Sequence, residues 1–230
     1  MTKKKTNEEI REENVASTVS ATENFFIENK KLFVGILIGL LVAGIAVLAY
    51  SKLIYAPAVE KAQQESYLSE LVFLQSADYE LALNGDGNTL GFAQICDKYG
   101  AKAGQAVYLY AGICCAQLSQ WEDALSYLRK YKGKDEILSA RALALQGDCH
   151  LALNEKQEAL NFYVKAADRA DNLFAADYLV KAAKLYVELG QKDKALAAYA
   201  KVKDQYPMSI EASYIDKYIN EIAEEYGKSL

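Results

Sequence analysis

The stretch LFVGILIGLLVAGIAVLAYS, Leu32 to Ser51, is twenty residues without a charge. As a helix rising about 1.5 Å per residue it spans roughly 30 Å, the hydrocarbon thickness of a bilayer. Lys30, Lys31 and Lys52 bound it. It predicts one transmembrane anchor over residues 30–55, a polar arm over 1–29 and one larger domain over 56–230. A cleaved leader fits less well, although Ala56-Pro57-Ala58 has small residues spaced for cleavage. The apolar run is longer than a leader's and the arm before it is too long. Gly35, Gly39 and Gly44 would be costly in a buried soluble helix and are common in spanning ones. Gly35 and Gly39 also form a GxxxG pair, a frequent chance pattern that in some membrane helices packs two spans together.

Basic residues near the ends of a span set its orientation. Lys30 and Lys31 precede the run, with Arg11 and Lys3 to Lys5 further off; Lys52 and Lys61 follow it. The bias predicts a cytoplasmic N-terminus and a domain across the membrane, periplasmic if the membrane is a bacterial inner membrane. Seven basic and six acidic residues lie in Met1–Lys52. That leaves 19 basic and 25 acidic for the rest, near −6, against −5 for the whole chain. An acidic domain lacks the basic footprint that nucleic acids and anionic lipid surfaces require. The arm is polar and poor in apolar residues, a composition that predicts disorder.

Only two prolines occur, Pro57 and Pro207, and alanine and leucine are abundant. Helices joined by short turns are the expected result, an all-α domain. An internal repeat sharpens this. The segment VFLQSADYELALNGDGNTLGFAQICDKYG from Val72 aligns without a gap with LVKAAKLYVELGQKDKALAAYAKVKDQYP from Leu179. Further copies begin at Tyr108 and Leu143. Four helix-turn-helix units follow, near 69–104, 105–139, 140–175 and 176–209, with a capping helix over 210–226. The turns are NGDGN, SQWED, NEKQE and GQKDK. Pro57 suits a first helical turn, so a long first helix is expected from about Ala58 to Leu83. Ser209 can cap a helix after Pro207, with Ile215, Tyr218, Ile219, Ile222 and Tyr226 on one face.

This pattern resembles the tetratricopeptide repeat. Its small residue in the first helix is matched by Gly112, Gly147 and Ala183. The alanine that opens its second helix is matched by Ala124, Ala159 and Ala195. Its aromatic is matched by Tyr79 and Tyr186, and its terminal proline by Pro207. The sequence departs from the pattern at Ser76, Asn88, Cys115 and His150. The resemblance implies a solenoid whose units stack to share one core, in which two helices cross where Gly112 and Gly147 leave room. In such repeats a few first-helix positions line a groove. Carried onto this chain, they are Phe73, Leu109, Ile113, Ala144, Leu151, Val180 and Val187, with Arg141 and Lys184 among them. That groove is either open to a partner or filled by the chain's own first helix or cap.

Nothing in the sequence argues for an enzyme. His150, the only histidine, stands where two other units carry tyrosine and reads as a packed residue. No metal-ligand spacing, P-loop or nucleophile–base set occurs, so no catalytic residue, metal, cofactor or small-molecule substrate is expected. Asn84-Gly85-Asp86-Gly87 lacks a calcium-loop pattern and reads as a turn. Cys114 and Cys149 fall at one position of successive first helices, roughly 8–10 Å apart by helix packing. That is too far for a disulfide, so free thiols are expected.

The layout of arm, anchor and small acidic repeat domain resembles the ancillary SecYEG translocon subunit family, the YfgM-like proteins. The resemblance implies a protein–protein interaction scaffold beside the translocon. Its implied partners are translocon subunits, a membrane-anchored chaperone and unfolded polypeptide segments. An adaptor in another envelope assembly, for division, secretion or the outer membrane, is the alternative.

Overall fold

A computed structural model describes residue 25, residues 29–170 and residues 172–225, the last of these by its backbone only. The arm expected over 1–29 lies outside the described residues, Phe25 and Asn29 excepted, and so does Tyr226 of the cap. The chain divides into two compact units, Met1–Pro57 and Ala58–Leu230.

The first unit is carried by α1 (Lys30–Tyr50), none of whose residues is buried. The run Lys30–Gln75 is the one helix among the described residues long and apolar enough to cross a membrane. That is consistent with a single-pass anchor.

The second unit is all helical. Its order is α2 (Ala56–Leu71, of which 58–71 belong here), α3 (Tyr79–Asn84), α4 (Phe92–Tyr99), α5 (Ala106–Gln117), α6 (Trp121–Lys130), α7 (Glu136–Ala152), α8 (Lys156–Arg169), α9 (Phe174–Glu188), α10 (Lys192–Gln205) and α11 (Ile215–Glu225). Among the described residues the only β pairing is an isolated bridge between Gly85 and Leu90. From α5 to α11 each helix packs on its neighbours in sequence, giving a repeat solenoid.

The hairpins α5–α6, α7–α8 and α9–α10 turn alike. Ser119, Asn154 and Gly190 take left-handed backbone, at φ of 60°, 63° and 72°. In each turn the next residue's N–H reaches back five residues. Gln120 donates to Cys115 O at 2.8 Å, Glu155 to His150 O at 2.8 Å and Gln191 to Tyr186 O at 2.7 Å. These Schellman turns satisfy carbonyls that a helix end leaves open. Glycine adopts the left-handed region freely and asparagine often, whereas for serine it costs about 1 kcal/mol. Ser119→Gly is therefore expected to stabilise the fold by about 0.5–1 kcal/mol. Asn154→Gly should gain less. Chemical denaturation of the two variants checks the order.

The close crossings sit where the repeat places them. A Cβ on Gly112 would meet Leu128 Cγ and Cδ2 at 2.7 Å, and one on Gly147 would meet Tyr163 Cε1 at 2.6 Å. The opening alanines Ala124 and Ala159 are fully buried beside them, as is Ala195 in the third hairpin.

The long first helix is not continuous to Leu83. After α2 the backbone widens into a π-helical turn, Val72–Ser76, and Ala77 turns left-handed at φ 50°. Asp78 then caps α3, accepting the Leu81 N–H at 3.0 Å. Ser76 Oγ donates to Val72 O at 2.6 Å and accepts the Asp78 N–H at 3.3 Å. Short polar side chains that bond their own backbone stop a helix, and Ser76 and Asp78 stand on either side of the break. The cap also starts late. Ser209 Oγ accepts the Ala212 N–H at 3.1 Å, but this holds a short 3-10 turn, Glu211–Ser213, ahead of α11. Within α11, Ile215 and Ile222 are buried against α9 and α10, with Tyr218 and Ile219 packed at the margin.

Candidate functional site

In each hairpin the first helix turns its glycine or small residue towards the second. Rotating by about 100° per residue, the face roughly 100–160° away from Gly112 carries Ala106, Tyr110, Ile113 and Gln117. One repeat on it carries Arg141, Leu145, Asp148 and Ala152, and on α9 Asp177, Lys181, Lys184 and Glu188. All twelve are half-buried or exposed. They form a ridge that passes from apolar on α5 to charged on α9.

The residues expected to line a groove divide on this geometry. Ile113, Arg141 and Lys184 stand on the ridge. Leu109, Ala144 and Val180 are 2%, 4% and 3% exposed and pack in the core, so they offer a partner no surface. They occupy one repeat position, a single residue before Tyr110, Leu145 and Lys181, and one residue is a quarter-turn. Leu151 is exposed at the end of α7 and Val187 is half-buried on α9. Phe73 is half-buried, its ring 5.0 Å from that of Tyr110 and 6.0 Å from that of Phe92. The chain's own Phe73 thus covers part of the α5 ridge.

Across α7, α8 and α9 the ridge is tied by a polar network. The Tyr163 hydroxyl donates to Asp148 Oδ1 at 2.7 Å, and Lys181 Nζ donates to the same oxygen at 2.8 Å. Asp177 lies 3.9 Å from Lys181. Burial raises the Asp177 carboxyl above its ordinary range, against the pull of Lys181. Burial, followed by the Asp148 charge, also raises Tyr163, which keeps its proton and donates.

Lys184 and Val187 meet α11 at a cavity of about 380 Å³, lined also by Glu188, Tyr199, Tyr218, Glu221 and Ile222. The Tyr199 and Tyr218 rings stack at 5.6 Å, and Lys184 Nζ lies 5.1 Å from the Tyr218 ring centre. Two stacked rings lined by two carboxylates, Glu188 and Glu221, and the Lys184 ammonium suit an amphipathic side chain.

His150 is buried, stacks on Phe162 at 5.1 Å and pairs through Nδ1 with Glu155 at 2.5 Å. All four cysteines are free and buried. Burial pushes the thiols of Cys96, Cys114 and Cys149 up to about 12 and that of Cys115 up to about 11. Thiolate is the reactive form, so a water-soluble disulfide reagent should modify none of them rapidly in the folded chain. All four should react after denaturation. One fast thiol in the native protein would contradict this packing. Among the described residues no group of three histidine, cysteine or carboxylate side chains could hold a metal.

Residues 177–209, which cover most of α9 and all of α10, match TPR_6, the tetratricopeptide repeat. Two solved structures share the fold. One, a crystal structure of MamA, aligns with a TM-score of 0.50 at 22% identity, over 67% of this chain and 87% of that one. The other, a crystal structure of MamA protein, aligns with a TM-score of 0.54 at 20% identity, over 74% and 83%. No curated protein matches in sequence. The repeat match and the shared fold support a tetratricopeptide-repeat protein, an architecture that supplies binding surface and rarely catalysis.

Proposed function

We propose that the chain is a membrane-anchored scaffold that binds other proteins through the first-helix ridge. The observation that carries this is the ridge itself: four repeat positions on each of the three first helices α5, α7 and α9, twelve accessible residues, apolar at one end and charged at the other. An amphipathic or partly unfolded polypeptide segment fits such a surface. Residues 30–55 serve as the anchor and 56–230 as the repeat domain. Lys30 and Lys31 keep the N-terminus cytoplasmic, so the domain works in the periplasm of a bacterial cell. In this reading the protein is an accessory of the Sec translocon, acting with membrane-anchored chaperones on emerging chains. Its support is the layout of arm, single span and small acidic repeat domain.

Two measurements test it. Crosslinking in intact cells followed by mass spectrometry should recover translocon subunits; recovery of a division, secretion or outer-membrane assembly instead overturns the translocon assignment. A membrane-impermeant protease added to spheroplasts should digest the repeat domain, and a protected domain would reverse the topology.

A further inference from the structure

The turn between α3 and α4 begins Asn84-Gly85-Asp86-Gly87, and the sequence holds no other Asn-Gly pair. Asparagine before glycine is a reactive pair. The Gly85 nitrogen can attack Asn84 Cγ and close a five-membered imide, because glycine has no side chain to shield that nitrogen. As the new C–N bond forms, the Cγ–Nδ2 bond breaks, and the proton from the Gly85 nitrogen leaves with it as ammonia. Water then opens the ring. Cleavage at Cγ gives aspartate; cleavage at the main-chain carbonyl gives isoaspartate, in which the backbone runs through the former side chain.

In the folded chain both reacting groups are engaged. Asn84 ends α3, and closing the ring would turn its ψ away from the helical value of about −42°. The Gly85 N–H donates to Leu81 O at 2.8 Å, and the Asn84 side-chain amide donates to Glu80 Oε1 at 2.7 Å. The rest of the turn fixes Gly85 in place. Gly85 pairs with Leu90 in the isolated bridge, and Asp86 accepts the Asn88 and Thr89 N–H groups at 2.9 and 2.7 Å. The two limbs of the turn touch: a Cβ on Gly85 would overlap Thr89 O, and one on Gly91 would overlap Leu83 O. The Ser69 hydroxyl of α2 donates to Leu90 O on the same turn.

We infer that Asn84 is a site of spontaneous deamidation that native α3 keeps shut, so that the modification marks chains in which the end of α3 has opened. Six residues make a helix that is marginal by itself, and its start is held by the Asp78 side chain. Its opening therefore needs less than global unfolding. The product does not fit the closed turn. Isoaspartate adds a backbone carbon just before Gly85, where the two limbs leave no room for one. Either product sets a second carboxylate four residues after Glu80 and at a helix C-terminus, where negative charge is unfavourable. Asp86-Gly87 can close the same ring, but the Thr89 and Asn88 N–H groups hold the Asp86 carboxyl below its ordinary range, as a carboxylate that makes a poor leaving group. Its isomerisation also leaves the mass unchanged, so a gain of mass in this turn reports asparagine, and fragment masses separate Asn84 from Asn88.

The test incubates the full chain in mild detergent, native or in guanidinium, in mildly alkaline buffer. Peptide masses after digestion give the fraction of Asn84 converted. Conversion should be about tenfold or more slower in the native chain, the factor for a local opening that costs about 1.4 kcal/mol. Asp78→Ala removes the cap of α3 and should speed native conversion by roughly fivefold, with no change in guanidinium. Glu80→Ala, at an exposed position where folding is not at stake, should raise the native rate as well. Asn84→Gln, whose side chain would have to close a six-membered ring, should stay intact in both conditions. Equal rates in the native and denatured chain would overturn the protection, and no conversion in guanidinium would overturn the site. A native rate that neither Asp78→Ala nor Glu80→Ala raises would remove α3 as the gate and overturn the inference.

Discussion

Gly147→Leu is expected to destabilise the repeat domain by about 3 kcal/mol or more. A Cβ at Gly147 already lies 2.6 Å from the Tyr163 ring and 3.2 Å from Ala159 O. The ring is not free to swing aside: Tyr163 is buried, and its hydroxyl bonds Asp148, which Lys181 also holds. Leucine is a better helix former than glycine by somewhat less than 1 kcal/mol. That gain is too small to offset the overlap. Thermal unfolding of the full chain in mild detergent should drop by roughly 2–4 °C per kcal/mol lost. Gly112→Leu should cost less, because the opposing atoms belong to the flexible end of Leu128. Asn161→Leu, exposed on α8, is the control and should leave the transition in place. An unchanged transition for Gly147→Leu would place the glycine outside the crossing.

The crossing was legible in the sequence because a close approach permits few residues. Gly112, Gly147 and the buried alanines recur at one spacing, and no other property of these helices demands them. The apolar run of α1 was legible for the same reason, since twenty uncharged residues are rare outside a bilayer. The break at Ala77 was harder to see. Nothing in Ala77 marks a left-handed residue, Ser76 reads only as a departure at the repeat's small-residue position, and Asp78 carries no signal that a helix ends before it.

The groove expectation missed at Leu109, Ala144 and Val180 for a subtler reason. An amphipathic helix has a boundary, and Leu109 and Tyr110 lie on opposite sides of it with equally apolar side chains. Hydrophobicity alone does not say which faces out; the direction of the second helix does. This yields the sharpest functional expectation. Leu109→Asp should unfold the domain and Ile113→Asp should not. At Leu109 the substitution removes about 1.5–3 kcal/mol of apolar burial. It also strands a carboxylate in the core, which costs several kcal/mol more. The total rivals the roughly 5–15 kcal/mol that stabilises an ordinary domain. Ile113 is half-buried on the ridge, where an aspartate keeps its water and the fold survives. There it removes an apolar contact from the surface a partner uses. The loss corresponds to roughly a tenfold to hundredfold fall in affinity. The expected pattern is therefore a Leu109→Asp chain that is degraded or melts early, and an Ile113→Asp chain that melts like wild type but no longer copurifies its partner. Raised salt should not mimic the second effect, because exposed ion pairs contribute about 1 kcal/mol or less and are screened. A folded Leu109→Asp that loses its partner, beside an Ile113→Asp that keeps it, would shift the binding register back by one residue and remove the ridge as the site.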